Sequence, residues 1–549
     1  MKKATAKLLA AAAMLAAGLL HHAAAQDSAF DIVRFQIEGN SILPVQRTQE
    51  LVAPFIGRRK NYGDVQKALE ALEGEFRRLG YGTVQVYVPE QELTSGVVKL
   101  QVSEGVVGKV TITGNKHFNN ENVRASLPNL KEGTAPNMRQ LSENIQLSNE
   151  NPAKQVEVTL GVSEEEGKVN AKVEVKEEDP TRFYITLDNT GTKASGKHRV
   201  GVSYQNANVD NSDQVLTLAY TTAADAPGGV KVDIYSIGYR LPLYSIGDSI
   251  DVIYGNSSTN TPASVLAPGG TLALNGKGMV VGLRYNHIFP RAGEFTSKFI
   301  MGFDYKHMNS LCTVAGAPTP PGVTSSCTPY TLRPITGTYS GQWQKPGEVI
   351  DFNLGFTHHL FPMGSSYPGV AGIDRYSFVT GRQTSDTFTA LRLGGSYTTA
   401  IAGEWLGRAV FNGQYAHNPL PAGEQIGLTG SNTVRGFLER AVSTDRGFVA
   451  NLEVYSPDYA NKMGFEGSLK GLIFYDWASG HNFAALATGF ARANVASAGI
   501  GFRYNLKKDI SARFDVARVM EGHQPTPGNS AEAAKPGDIR GHFGLAFGF

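Results

Sequence analysis

From Thr181 to Phe549 the chain is written almost wholly in short segments of alternating apolar and polar residues, and nowhere in it does an apolar run approach 18 residues. A period of two belongs to a strand whose faces meet different surroundings. A helix cannot cross a membrane with such a sequence, but a strand can. A closed sheet pairs its own backbone groups and asks only that every second side chain be apolar. Turn residues separate the segments, as at Asp210-Asn211-Ser212, Pro290-Arg291-Ala292-Gly293 and Pro346-Gly347-Glu348. About sixteen strands can be placed between 182–189 and 540–549, with short turns alternating with long polar loops. An even number fits an antiparallel transmembrane barrel. Only 18% of residues are charged and 62 are glycine, which suits the same architecture, and a net charge of +2 gives no reason to expect nucleic acid.

The last strand alternates Phe543, Leu545, Phe547 and Phe549, and the chain stops on the aromatic. At the other end, Lys2, Lys3 and Lys7 precede an apolar core from Leu8 to Leu20 and the small residues Ala23-Ala24-Ala25. Residues 1–25 therefore read as a signal peptide, too short in its apolar core to span, and the mature chain is expected to be exported. The two cysteines, Cys312 and Cys327, stand in a Pro/Gly/Ser/Thr-rich loop without metal-ligand spacing. In an oxidising compartment they are expected to form one loop-stapling disulfide, a free thiol being the other reading.

Between signal and barrel the pattern is different and occurs twice. Residues 28–104 read strand, helix, helix, strand, strand. Their clearest helix carries Val65, Leu69, Leu72, Phe76 and Leu79 on one face and stops at Gly80. Residues 107–179 restart the pattern, Gly114-Asn115 repeating Gly39-Asn40 at the end of the opening strand. A two-fold repeat of such units is too long and too few for a solenoid, so two small α+β domains in tandem are expected, ahead of a barrel over 181–549.

Within the barrel one constellation carries chemistry. Gly430–Phe437 lies in a long polar segment, and its centre Val434-Arg435-Gly436-Phe437 sets a permanent cation between two hydrophobes. About forty residues on, Leu472-Ile473-Phe474-Tyr475-Asp476 places a carboxylate on an apolar strand, where it needs a polar lumen or a partner. Strand parity sends Asp476, Phe474 and Leu472 inward and Tyr475 and Ile473 outward. Arg435 and Asp476 are the expected pair.

The tandem units resemble POTRA domains, the second through Leu141 and Asn149-Glu150-Asn151-Pro152. With the VRGF sequence, Tyr475-Asp476, the stretch Asp188-Asn189-Thr190-Gly191 to Gly196 and the terminal aromatic, essentially the whole mature chain resembles the TpsB transporters of two-partner secretion. The resemblance implies two periplasmic POTRA domains followed by a 16-stranded antiparallel barrel in a Gram-negative outer membrane. It implies a VRGF loop folded into the lumen, its Arg meeting the inner-wall Asp, and export of an unfolded TpsA-type exoprotein. The C-terminal aromatic strand resembles the signal read by the barrel-assembly machinery, and lipid with lipopolysaccharide is the implied surrounding. Family members often carry an N-terminal plug helix. Here the first strand, at Phe30, follows so closely on the cleavage site before Gln26 that no plug is expected.

No HExxH, GxSxG, P-loop or Rossmann pattern occurs, and the 12 histidines are scattered, so neither an enzyme nor a metal or other cofactor is expected. A passive porin has no use for POTRA-like modules. The alternative is a BamA/TamA-type assembly factor, which shares barrel and lumen loop but mostly differs in its number of POTRA domains.

Overall fold

The computed structural model describes residues 29–92, 95–258, 262–267, 270–275, 277–308, 330–360, 387–483, 490–507, 509–522 and 534–549. The signal peptide and Cys312 and Cys327 lie outside the described residues. The chain divides into two compact units, one of residues 1–109, 131–138 and 160–171, the other of 110–130, 139–159 and 172–549.

In the first unit the helix Tyr62–Arg78 begins at a reciprocal cap. Asn61 accepts from the Asp64 amide at 3.2 Å while Asp64 accepts from the Asn61 amide at 3.1 Å. Val65, Ala68, Leu72 and Phe76 are buried along one stripe against Phe35, Val98 and Leu100. The helix ends where Gly80 takes φ +100° and the Tyr81 amide reaches back to the Phe76 carbonyl at 2.9 Å. A second helix, Val45–Val52, precedes it. The sheet runs Arg34–Glu38, Val97–Ser103, Gln85–Tyr87. The opening strand, expected to run unbroken from Phe30 to Ile37, is two. Phe30–Ile32 pairs with Gly57–Lys60, and Arg34–Glu38 runs parallel to Val97–Ser103. Between them Val33 and Arg34 both donate to the Gly96 carbonyl, at 2.7 and 3.3 Å, and the chain changes partners there.

Glu75, on this helix, accepts from Arg78 Nε at 2.7 Å and Arg47 Nε at 3.1 Å. Hydrogen bonds from Arg78 and then Arg47 hold its carboxyl at about 2, below the usual 4.5. Because the folded value is the lower one, this contribution to stability is complete above about pH 4.5 and is lost as pH falls from there towards 2. Amide-exchange protection of Tyr62–Arg78, corrected for intrinsic rates, is therefore expected to fall across that window in the native chain. In Glu75→Gln it should be lower throughout and flatter. An equally steep fall in the variant would assign the pH response to other carboxylates.

The next stretch comprises Val106–Thr113, the helices Asn120–Ser126 and Met138–Asn149, and the strands Lys154–Val162 and Lys168–Glu177, sheet order first, third, second. The repeat seen in sequence persists in detail. Gly39 and Gly114 both have positive φ, and the following Asn donates three residues on in each case, Asn40 to the Leu43 carbonyl at 2.8 Å and Asn115 to that of Phe118 at 2.9 Å.

Part of this stretch belongs to the barrel's own unit, and buried polar contacts join them. Lys154 is wholly buried, ion-paired with Asp213, and donates to Asn122 Oδ1 at 3.0 Å. Tyr244 donates to the same Asp213 at 2.5 Å. Asn151 and Asn144 donate to the carbonyls of Ala207 and Tyr244, each at 2.7 Å, and Glu150 accepts from Arg240 at 2.9 Å and Lys298 at 2.7 Å. Burial pushes the Lys154 ammonium below its ordinary value, against the pull of Asp213.

The barrel is closed, antiparallel and of sixteen strands, from Thr181–Asp188 to Ile539–Gly548, the eighth interrupted at Arg333 between Tyr330–Leu332 and Pro334–Lys345. Expected and observed strands agree within a few residues, and Asp248–Ser257 and Phe295–Met308 agree at both ends. A hairpin outside the wall, Pro262–Ala267 with Gly270–Asn275, was not expected. The last strand meets the first over five residue pairs, Gly544 opposite Asp188 to Gly548 opposite Tyr184. Beyond them the Asn189 side chain stands in for backbone, donating to the Gly541 carbonyl at 2.9 Å and accepting from the Phe543 amide at 3.0 Å. Phe543 lies opposite the outward Phe514, so Phe543, Leu545 and Phe547 share the outer face, and Phe549 is exposed.

Candidate functional site

The segment 417–445, between the strands Trp405–Ala416 and Arg446–Tyr455, does not remain outside. It carries Val434 and Phe437 into full burial with Val449, Ala478, Val495 and Val519, inward residues of the wall. Asp476 sits five residues before the end of its strand at His481, so the loop tip lies roughly 17 Å down the wall. On that strand Leu472, Phe474 and Asp476 are buried, whereas Ile473 and Tyr475 are 59% and 46% exposed on the outer face.

At the tip Arg435 is 3% and Asp476 0% exposed. The guanidinium makes the two-pronged contact that a planar fork allows, Nε to Oδ2 at 2.7 Å and Nη2 to Oδ1 at 2.8 Å. The backbone amide of Arg435 adds a third bond to Oδ2 at 3.1 Å, and Asn451 donates to Oδ1 at 2.8 Å while also donating to the Thr433 carbonyl. The Asp476 carboxylate thus gathers two side chains and one backbone amide, from the loop and the neighbouring strand. Arg435 has further partners, Glu453 Oε1 at 2.9 Å and Asp515 Oδ1 at 3.6 Å, and its guanidinium carbon lies 3.5 Å from the centre of the Phe474 ring. Arg503 grips Asp515 with two bonds of 2.9 and 3.0 Å, and Arg408 reaches Glu453 at 3.2 Å. Three cations and three carboxylates from five strands and one loop therefore neutralise one another inside the barrel.

Gly436 has φ +93°, a conformation that L side chains rarely adopt, and its amide donates to His542 Nε2 at 2.9 Å. A side chain at this position would strain the turn that aims Arg435. Gly499 serves by absence of bulk, since a Cβ there would come within 2.5 Å of the Phe474 ring. A second fastening lies elsewhere on the loop. Glu424, 3% exposed, takes Lys306 Nζ at 2.7 Å on one oxygen and Arg392 Nη2 at 3.0 Å on the other. The loop is thus tied to strands far apart around the wall.

A family model described as haemolysin secretion/activation protein ShlB/FhaC/HecB matches residues 167–314 and 347–504. The chain belongs to this family. A model described as POTRA domain, ShlB-type, matches residues 30–105. The heme/hemopexin transporter protein HuxB of Haemophilus influenzae is 19% identical over 507 residues, covering 90% of this chain and 84% of that protein. The hemolysin transporter protein ShlB of Serratia marcescens is 21% identical, covering 70% and 65%. Among solved structures, CdiB from Escherichia coli superposes with a TM-score of 0.70 at 17% identity, covering 96% of this chain and 92% of that one. ShlB/FhaC/HecB proteins are outer-membrane transporters of two-partner secretion, with the POTRA region in the periplasm. The short turns Asn208–Asp213 and 244–247 therefore mark the periplasmic end of the barrel, and the loop 417–445 enters from the opposite, outer end.

Sequence reading brought Val434, Arg435, Gly436, Phe437, Phe474 and Asp476 to one place, and the structure places them together, with Tyr475 on the outer face. It missed Glu453, Asp515, Arg503, His542 and Glu424. The available signal was parity, because Glu453 and Asp515 are isolated carboxylates on apolar strands just as Asp476 is.

Proposed function

We propose that this transporter exports an unfolded, β-rich exoprotein of the TpsA kind from the periplasm to the cell surface, with the VRGF loop acting inside the barrel. The reading rests on family membership together with the loop fastened midway down the lumen by Arg435. Residues 28–104 and 107–179 act as two POTRA domains that receive the substrate. An extended segment adding to a sheet edge gains backbone hydrogen bonds with little demand on its sequence. Lys154–Val162 is outermost in its sheet, and the Asn149 side chain already occupies its edge at Val156, donating to the carbonyl at 3.1 Å and accepting from the amide at 2.6 Å. This leaves the far half of the strand for a guest. Folding outside the cell then makes return unfavourable without a nucleotide. Phe543, Leu545, Phe547 and Phe549 present the outward aromatic strand to the barrel-assembly machinery.

The test is co-expression with an exoprotein of the TpsA kind. The exoprotein is expected in the medium with this transporter and in the periplasm without it. A normal complement of other barrels in cells lacking the transporter is also expected. Loss of those barrels, with the exoprotein unaffected, would replace export by the barrel-assembly reading.

A further inference from the structure

Three neighbouring strands finish at the outer end of the barrel in a row of basic side chains. Arg446 stands opposite His481, and His481 opposite Arg492. Parity puts all three on the outer surface, in line with the exposed Leu452, Trp477 and Ile500. The two guanidinium groups flank His481 from the strands on either side, so the row gathers positive charge to which an anion is drawn. Among the described residues, neither guanidinium has a carboxylate within ion-pair distance. Arg446 instead lies over the Phe483 ring at 4.6 Å. The nearest carboxylate in sequence, Asp445, is fully buried and engaged by the Leu420 and Phe483 amides and by Gln425.

Beside this row the outer wall holds a groove of about 810 Å³ that includes the three basic residues in its lining. Its sides are Leu391, Leu393, Phe411 and Phe448, and its floor is opened by Gly413 and Gly447. Cations at the outer rim of a membrane-facing apolar groove match one chemistry, a phosphate head joined to acyl chains in the outer leaflet.

We propose that Arg446, His481 and Arg492 bind a phosphate of lipopolysaccharide's lipid A, with an acyl chain lying in the groove beneath. Guanidinium groups suit phosphate because they offer paired, planar donors. The groove adds apolar contact that a free anion would not use. The basic row lies across the wall from the Arg435 cluster, although the groove's lining also includes Arg392, which bonds Glu424 of the loop.

The experiment is titration of the whole protein in phosphatidylcholine nanodiscs with bisphosphorylated lipid A, folding being checked by heat-modifiable gel mobility. Arg446→Gln/Arg492→Gln is expected to weaken binding about tenfold or more. On the unaltered protein, lipid A stripped of its phosphates should bind as weakly as the native lipid does to the double variant, and this arm needs no mutant to fold. The de-acylated sugar bisphosphate and inorganic phosphate should not compete. Equal binding of the phosphate-free lipid, or undiminished binding by a folded double variant, would overturn the proposal. Competition by inorganic phosphate at lipid-like concentration would reassign the row to a soluble anion.

Discussion

Arg435→Ala is expected to release the loop 417–445 from the wall and abolish export while the barrel still assembles. Asp476 would remain buried with only Asn451 and the Arg435 backbone amide to satisfy it. Breaking one side of a buried pair costs about 3–5 kcal/mol, which is a change of roughly a hundredfold to several thousandfold in the docked fraction. Asp476→Ala should act similarly. The double variant should cost no more than the worse single, since neither charge is then stranded. The network adds a sharper expectation. Exchanging the two residues should fail to rescue, because an Asp at 435 would face Glu453 and Asp515, both of which now draw on Arg435. The measurements are exoprotein in the medium, amide-exchange protection of residues 430–440 and heat-modifiable mobility. Full rescue by the swap would mean that the pair acts alone and the surrounding carboxylates are incidental. Normal export by folded single variants would remove the loop from the mechanism.

Lys154→Ala has the second large expected effect. It leaves Asp213 buried with Tyr244 as its hydrogen-bond donor, and a loss of about 3–5 kcal/mol follows from the stranded charge. Amide protection should collapse locally over Asn208–Asp213 and the helix Met138–Asn149, with the rest of the barrel unaffected. Lys154→Met with Asp213→Asn should recover most of it. Met fills the channel of the lysine stem, Asn keeps an acceptor for Tyr244, and Asn tolerates the φ of +61° found at Asp213. No recovery in the double variant would show that the charge itself is required.

Much of this was legible in the sequence because a barrel wall obeys a rule of two. Once Ile473 and Tyr475 are outward, Asp476 has nowhere to go but the lumen. The strands followed from the same rule together with turn chemistry. What the rule omits is which strand stands beside which residue at what height. Glu453 and Asp515 come to Arg435 only through register and strand stagger, and Glu424 meets Lys306 and Arg392 only because the loop crosses inside. The break at Val33 was hidden for a related reason. Phe30 to Ile37 is apolar enough for one strand, and only the competing partners Gly57–Lys60 and Val97–Ser103 divide it. Gly499 gave no local sign either, as its value lies in a ring belonging to another strand.

Many of the inward charges of the described wall occur in opposed sets. Arg240 meets Asp251, Arg284 meets Asp304, Lys306 and Arg392 share Glu424, Arg408 meets Glu453, and Arg503 meets Asp515. Paired dipoles of this kind create short-ranged fields that fade within a few ångströms, whereas a ring of like charges would project a potential along the whole conduit. A polypeptide passing these pairs meets little net attraction or repulsion from them, whatever the sign of its own side chains.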